Sequence, residues 1–199
     1  MKTPTQQEYE RTELKNWQLG RIKVFLLAGR IASGKSTVGN ILAGVLQDRY
    51  PQALIKISGF AYGVKSVARD SFGWDGKKDA KGRRLLQVVG TEAGREYDND
   101  IWAKKAYNDT VGDIMPPNIV IFDDWRFPNE YTYWLDKPEI GEIYKIRVFR
   151  DEEVISDHLS EKALPISEVV PDYYDYRFDN NCEEEEIEDK VRAMVKELV

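Results

Sequence analysis

The 199-residue chain contains only one cysteine, Cys182, and only one histidine, His158. One cysteine cannot form a disulfide within the chain or a cysteine-based zinc site, and low cysteine use is typical of a reducing compartment. One histidine excludes a metal site with paired histidine ligands. No serine or cysteine nucleophile pattern surrounds His158, so a hydrolytic triad has little support and a structural role is the better interpretation.

The sequence also lacks long apolar runs and an excess of positive charge. No run approaches the length of a membrane span, and the first eight residues have no apolar signal core. The formal net charge of −6 provides no general attraction for nucleic acid. These absences predict a cytoplasmic protein that binds neither membranes nor nucleic acid. A phosphate ligand must then be held by local positive charge.

The sequence does contain a phosphate-loop pattern at residues 29–36, Gly-Arg-Ile-Ala-Ser-Gly-Lys-Ser, which matches G-x-x-x-x-G-K-[ST]. An apolar run at 22–28 precedes the loop and is typical of a buried parallel strand. Apolar residues at helical spacing follow it. In such loops backbone N–H groups hold phosphates, the lysine reaches the β- and γ-phosphates, and the serine, here Ser36, binds Mg²⁺. The loop residues predicted to bind the nucleoside triphosphate, which the resemblance described below identifies as ATP, are Gly29, Ala32, Ser33, Gly34, Lys35, Ser36 and Thr37.

Strands and helices alternate along the chain after this loop. Apolar runs predict further strands at 54–57, 119–122, 143–149 and 173–178. Helical periodicity predicts helices near 62–70, 85–89 and 100–110, and a C-terminal helix capped by Asn181 with Glu184 completing a capping-box-like pair. Residues 1–20 are predicted to form an N-terminal extension, and residues 21–199 a single domain. The pattern predicts an α/β fold, with a doubly wound parallel sheet of about five strands between helical layers.

Ligands of such sheets bind beyond the carboxyl ends of the strands. That rule selects Phe60 and Lys65 after the second strand, residues 123–126 after the third, and Arg150 after the fourth. Four apolar residues followed by an acid are typical of the second P-loop motif, whose carboxylate acts on Mg²⁺. Neighbouring side chains of a strand point to opposite faces, so residue spacing alone leaves open whether Asp123 or Asp124 faces the cleft.

Three arginines, Arg83, Arg84 and Arg95, flank the predicted helix at 85–89. A guanidinium group suits phosphate because it donates two parallel hydrogen bonds and keeps its charge. Charged residues make up 32% of the chain, so solvated surface arginines fit this spacing equally well. Both interpretations stay open.

Together these segments resemble the deoxynucleoside monophosphate kinases of bacteriophages, within the wider nucleoside monophosphate kinase group. The resemblance covers about residues 22–182 in family order. It is carried by residues 29–36, 73–79, 82–87, 90–92, 100–102, 124–130, 150 and 158–161. It implies transfer of the γ-phosphoryl group of ATP to a deoxynucleoside 5′-monophosphate, with Mg²⁺, and it is compatible with a homodimer.

The resemblance also implies roles for particular residues. Residues 60–112 would supply the substrate-binding helices, and about 150–166 a lid over ATP that includes Arg150. Asp124 rather than Asp123 matches the family's D-x-R pattern, and Trp102 is either a wall for the base or a core aromatic. The implied catalytic residues are Lys35, Arg84, Asp124 and Arg126. The predicted substrate-binding residues, with Phe60 added from the strand-end rule, are Phe60, Lys65, Arg84, Gly90, Trp102, Asp124 and Arg126.

Three other functions compete with this one. A kinase of the same fold could act on another small phosphorylated substrate, of the phosphomevalonate or dephospho-coenzyme A type. A GTP-dependent switch is disfavoured because the [NT]-K-x-D element is absent. A nucleotide-binding protein without catalysis is disfavoured by the intact Lys35, Ser36 and Asp124.

Overall fold

The structure, a computed structural model, describes residues 20–151, 163–164 and 171–199. Nearly all of the predicted N-terminal extension, most of the predicted lid and His158 therefore lie outside the described residues. Five strands form one sheet in the order β2-β3-β1-β4-β5, and every neighbouring pair is parallel. The strands are β1 (Ile22–Ala28), β2 (Ile55–Ser58), β3 (Ile119–Trp125), β4 (Ile140–Phe149) and β5 (Tyr176–Asp179). The predicted α/β fold with about five parallel strands is confirmed.

Helices connect the strands and cover both faces of the sheet. They are α1 (Lys35–Arg49), α2 (Ala61–Phe72), α3 (Ala80–Gln87), a π-helix (Val88–Arg95), α4 (Ile101–Val111), α5 (Asn129–Thr132), a 3₁₀ turn (Pro171–Tyr173) and α6 (Glu184–Leu198). Every helix among the described residues is too short or too polar to cross a lipid bilayer.

The central strand β1 is buried on both faces, as its apolar run predicts. Phe25 and Leu27 pack on the side covered by α1 and α6. Val24, Leu26 and Ala28 pack on the other side, in the cluster that includes α4 and residues around α5. In register, Val24 pairs with Val120 of β3 and with Ile143 of β4. The layers are therefore helix, sheet and helix, with the phosphate loop at the carboxyl end of the middle strand.

Several predicted boundaries were wrong. β3 continues three residues beyond Phe122, because its pairing with β1 extends to Trp125 opposite Ala28. β4 begins at Ile140 rather than Ile143. The last strand begins at Tyr176, because residues 171–173 form a 3₁₀ turn in which the Tyr173 ring stacks on Trp125 with centroids 5.9 Å apart.

The predicted cap of the C-terminal helix was also wrong. Glu183 is the N-cap of α6, and it forms a capping box with Glu186. Asn181 precedes the helix, and its side-chain amide donates to Asp179 and Asp151. The acidic start of α6 suits the positive end of the helix dipole.

Candidate functional site

The phosphate loop joins β1 to α1, and it has no room for a side chain larger than hydrogen at Gly29 or Gly34. Gly34 has φ +87° and Ala32 has φ +68°, so two left-handed residues reverse the chain before the helix begins. A Cβ at Gly29 would clash with Ser33 Oγ and with the carbonyl oxygen of Val148. Lys35 is 8% exposed, and its Nζ donates to the Arg30 carbonyl at 2.6 Å. The ammonium group therefore lies back over the loop, beside the inner backbone.

Asn180 supports this loop from the far end of the sheet. It follows β5, is 4% exposed, and its Nδ2 donates to the Ser33 carbonyl at 3.0 Å. Its own backbone N–H donates to Phe149 O at 2.9 Å, which fixes it to β4. A Cβ at Gly34 would clash with Asn180 Nδ2, so a glycine at this position also makes room for the Asn180 side chain. Among the described residues, Asn180 Oδ1 has no hydrogen-bond partner.

The strand pleat decides where the two adjacent aspartates point. Adjacent residues of β3 face opposite layers, so Asp123 points to the same side as Ile121, towards α1, and Asp124 to the same side as Phe122, towards Phe60. Ser36 Oγ donates to Asp123 Oδ2 at 2.6 Å. Two side-chain oxygen atoms that could hold a cation therefore lie beside the phosphate loop.

Asp124 instead accepts hydrogen bonds from the backbone at the N-terminus of α2. Its Oδ1 accepts from the N–H of Phe60 at 2.8 Å, and its Oδ2 accepts from that of Ala61 at 3.0 Å. Burial raises the pKa of Asp124, the two N–H donors and Lys65 oppose that shift, and the charge of Asp123 adds to it. The carboxylate is thus fixed by main-chain donors at the entrance to a cavity.

This cavity has a volume of about 450 Å³ and opens at the carboxyl edge of the sheet. Its walls come from the end of β3, α2, α3, the π-helix and α4. Its cationic lining residues are Lys65, Lys78, Arg83, Arg95 and Arg126, and its acidic ones are Asp124 and Glu130. Its apolar wall includes Phe60, Val64, Leu86 and Trp102. Five cations against two acids make the cavity locally positive although the chain carries a net charge of −6.

Trp102 is held as one wall of the cavity by three glycines. Its ring is 5% exposed, and Nε1 donates to the Gly90 carbonyl at 2.7 Å. A Cβ at Gly63 would lie 2.9 Å from a ring carbon, and one at Gly94 would lie 2.7 Å from another. The two interpretations of Trp102 are therefore compatible, because the ring belongs to the buried core and also lines the cavity.

The π-helix supplies a further part of the lining. Glu96 donates its N–H to the Thr91 carbonyl five residues earlier, as a π-helix requires. Gly90, Thr91 and Arg95 of this segment line the cavity. Short π-helical stretches occur often at functional sites, because they change the direction of side chains within a helix.

Glu130 connects Arg95 with the segment that follows β3. It is 2% exposed; its Oε1 accepts from Arg95 Nη2 at 2.5 Å. Its Oε2 accepts from the N–H groups of Arg126 and Phe127 at 2.8 and 3.0 Å. Burial raises the pKa of Glu130 to about 7, although Arg95 and these donors favour the charged form. The Arg95 guanidinium also stacks on the Phe127 ring, 3.8 Å from its centroid.

Arg126 links the cavity to the phosphate loop. Its Nη1 donates to the Gly29 carbonyl at 3.1 Å, while its side chain lines the cavity. The two candidate sites are therefore neighbours, and one guanidinium lies between them.

The structure brings most of the sequence-predicted residues to this edge. Phe60, Lys65, Gly90, Trp102, Asp124 and Arg126 all line the cavity. Arg84 does not line it, because its guanidinium pairs with Glu92 on the exposed side of the helical segment. Arg83, the preceding residue, and Arg95 lie in the cavity instead. Arg150 is exposed at the end of β4, next to residues that are not described.

Sequence reasoning missed the roles of Asn180 and Glu130. Asn180 was within reach of the strand-end rule, since it directly follows β5. Glu130 stands at the end of the Asp-Trp-Arg-Phe-Pro-Asn-Glu segment, but its contact with Arg95, 35 residues away, has no sequence signal.

No protein-family model matches the chain, and no curated protein matches its sequence. Among solved structures, the chain is similar to a crystal structure of thymidylate kinase from Ehrlichia chaffeensis, at 17% identity and a TM-score of 0.26. That match covers 89% of this chain and 86% of the thymidylate kinase chain.

Proposed function

We propose that this protein is a nucleotide kinase, which transfers the γ-phosphoryl group of ATP to a deoxynucleoside 5′-monophosphate and releases ADP and the diphosphate. One observation carries the proposal. A phosphate loop and a cation-lined cavity open at the same sheet edge, and Arg126 lines the cavity while donating to Gly29 of the loop at 3.1 Å. Phosphoryl transfer between two anionic substrates needs two adjacent phosphate sites.

The donor site would be the phosphate loop. Backbone N–H groups of residues 29–36 and the N-terminus of α1 would hold the phosphates of ATP. Lys35 would move its ammonium group from the Arg30 carbonyl to the β- and γ-phosphates. Arg150 and the residues after it would cover ATP, which stays a prediction from the sequence.

The acceptor site would be the cavity. Its volume of about 450 Å³ lies within the range typical of small-ligand pockets. The flat Trp102 ring, with Val64 and Leu86, would contact a base, and Lys65 with the arginines of the lining would hold the monophosphate. Arg83 and Arg95, which line the cavity, would take the role that the resemblance assigned to Arg84.

The side-chain oxygen atoms of Ser36 and Asp123 beside the loop fit Mg²⁺. Ser36 Oγ and Asp123 Oδ2 are hard oxygen ligands 2.6 Å apart, and Mg²⁺ in such enzymes is held by one or two protein oxygens together with substrate phosphates and water. Among the described residues no group of three or more histidine, cysteine or acidic side chains could hold a metal alone. When bound with ATP, the ion would neutralise phosphate charge.

The protein's own contribution to catalysis would be position and electrostatics. Lys35 from the donor side and Arg126 from the acceptor side would both approach the transferring phosphoryl group, whose charge is spread over its oxygens. Asp124 would hold the start of α2, and with it the Lys65 turn, by its two main-chain hydrogen bonds. Fixed geometry of this kind lowers the barrier because reactants need no further alignment.

The alternative substrate class is another small phosphorylated molecule, of the phosphomevalonate or dephospho-coenzyme A type. The buried Trp102 wall favours a nucleotide, because an aromatic ring offers a stacking surface for a base. The sequence-based expectations of a cytoplasmic location and a homodimer stay predictions.

A coupled assay for ADP tests the proposal. The protein would be incubated with ATP, Mg²⁺ and each ribo- and deoxynucleoside monophosphate in turn. We expect ADP formation that depends on the acceptor, with a deoxynucleotide preferred. ATP binding without transfer to any acceptor would refute a nucleotide kinase, and transfer only to a non-nucleotide phosphate would favour the alternative.

A further inference from the structure

We infer that Glu130 is a positioning residue for the phosphoryl acceptor: its carboxylate holds Arg95 and the Arg126 turn in the geometry that binds the acceptor's phosphate. The inference rests on the proposed function, because it assigns Arg95 and Arg126 to that phosphate. It adds a residue that acts through the Arg95 guanidinium and the Arg126 backbone.

All three partners of the Glu130 carboxylate are donors. Arg95 Nη2 comes from the π-helix, and the two backbone N–H groups come from the turn between β3 and α5. The carboxylate therefore ties together two segments that are separate in sequence and that meet at the cavity. A protonated carboxyl group would find no acceptor among these three partners, so the arrangement suits the ionised form.

Arg95 is held in an orientation that leaves hydrogen-bonding capacity for a ligand. Its side chain is 11% exposed, its plane stacks on Phe127, and Nη1 donates weakly to Asn99 O at 3.4 Å. A guanidinium has five N–H donors, and these contacts use two of them. Because the cavity lining includes Arg95, the remaining donors can serve a phosphate there.

A purely structural role would not require a charge at this position. Burying a carboxylate is costly, and an apolar side chain of similar volume often replaces a buried ion pair without loss of stability. Asp124, a second acid of the cavity, adds to the cost of ionising Glu130. A costly charge kept beside the Arg95 guanidinium of a cavity is typical of a functional site.

Glu130→Gln separates the two halves of this arrangement. The glutamine oxygen can still accept from the N–H groups of Arg126 and Phe127, so the turn is kept. The amide NH₂ then faces the Arg95 guanidinium, donor against donor, and Arg95 is released. Glu188→Gln is the matched control, because Glu188 pairs with Arg192 in an exposed pair on α6, away from the cavity.

The experiment is steady-state kinetics on the full chain, with ATP and whichever nucleoside monophosphate gives the highest kcat/KM in the coupled assay. We expect Glu130→Gln and Arg95→Gln each to raise the acceptor KM by about tenfold or more, as for loss of a charged hydrogen bond. The KM for ATP should stay within about twofold. The double variant should be no worse than Arg95→Gln alone, and Glu188→Gln should match the wild type.

A pH profile provides a readout that a merely structural residue would not change. The wild-type acceptor KM should fall as the pH rises through 7, because Glu130 ionises and accepts from Arg95. In Glu130→Gln only the second ionisation of the phosphate, near pH 6, should remain. An unchanged acceptor KM in Glu130→Gln would overturn the inference, as would an equal rise in both KM values.

Failure of the proposed function would be distinguishable. If the wild type transfers to no nucleotide, calorimetric binding of the same monophosphates to the wild type and to Glu130→Gln decides the matter. Weaker binding by the variant would support the inference without the kinase function, equal binding would overturn it, and no binding to either protein would refute both. If Glu130→Gln fails to fold, Glu130→Asp, which keeps the charge but shortens the reach, takes its place with the same expected rise in acceptor KM.

Discussion

Asn180 offers a direct test of how the phosphate loop is held. The structure places Nδ2 of this buried side chain 3.0 Å from the Ser33 carbonyl, inside the turn that precedes Lys35. Asn180→Leu removes the donor and keeps the number and branching of the side-chain heavy atoms. Asn180→Asp also removes it, and puts a carboxylate oxygen against the carbonyl and close to the phosphates of ATP. We expect ATP affinity to fall in the order wild type, leucine variant, aspartate variant.

The magnitude follows from the burial of the contact. Leaving a buried carbonyl without its donor costs about 1–3 kcal/mol, and 1.4 kcal/mol is tenfold in affinity. The cost to folding should be at the low end of that range for leucine, because Asn180 Oδ1 has no partner among the described residues and its removal relieves a buried polar atom. ATP binding should therefore weaken about five- to a hundredfold in Asn180→Leu, and further in Asn180→Asp through charge repulsion.

Isothermal titration with ATP and Mg²⁺ measures the affinity, and urea unfolding measures the stability of the same proteins. Asn181→Leu is the matched control, because Asn181 is the next residue but is exposed, and among the described residues its hydrogen bonds are to Asp179 and Asp151. Near-wild-type ATP affinity in both Asn180 variants would refute the reasoning. So would an equal loss in the Asn181 control.

Three further outcomes are expected. Lys35→Ala should abolish transfer without unfolding the chain, because the loop backbone is fixed by its glycines and Asn180; near-normal turnover would contradict the donor site. Asp123→Asn should increase the Mg²⁺ concentration needed for half-maximal rate, whereas Asp124→Asn should mainly raise the acceptor KM; the reverse pattern in the same assay would exchange their roles. The folded pKa of Glu130 is raised from 4.5 to about 7, so its contribution to stability is full below about pH 4.5 and is lost as the pH rises through 7. Relative to Glu130→Gln, the wild-type free energy of unfolding should fall by about 3 kcal/mol between pH 4.5 and 8, measured by urea titration, and parallel curves would show that the pKa is not raised.

The strands and the phosphate loop could be predicted because their signals are local. A strand buried on both faces must be apolar along its whole length, as β1 is. An apolar run predicts too short a strand where the backbone pairing continues into polar residues. β3 keeps its parallel partner as far as Trp125, although apolar character stops at Phe122. The tertiary partner, and not the sequence of β3, sets that boundary.

The residues of the candidate site likewise fall into those that the sequence predicts and those that it does not. The strand-end rule found Phe60, Lys65, Asp124 and Arg126, because the end of a strand fixes where the next residues lie. To predict whether the Arg84 side chain faces the cavity, one must know how its helix is rotated about its axis. Consecutive residues of a helix differ by about 100° in direction. The side chain of Arg83 therefore reaches the cavity, while that of Arg84 turns to Glu92.

The position of Asn180 could be predicted, because it directly follows β5, but the contacts of Asn180 and Glu130 share a property that hides them from sequence reasoning. Asn180 binds the carbonyl of Ser33, and Glu130 binds the N–H groups of Arg126 and Phe127. A main-chain partner is present at nearly every residue, so such a contact selects no residue type at the other end and leaves no pattern to recognise. Burial then makes the contact matter, because an unmet polar group costs more inside the protein than at its surface. The residues that fix the geometry of a phosphate site can therefore be those its sequence motif does not include.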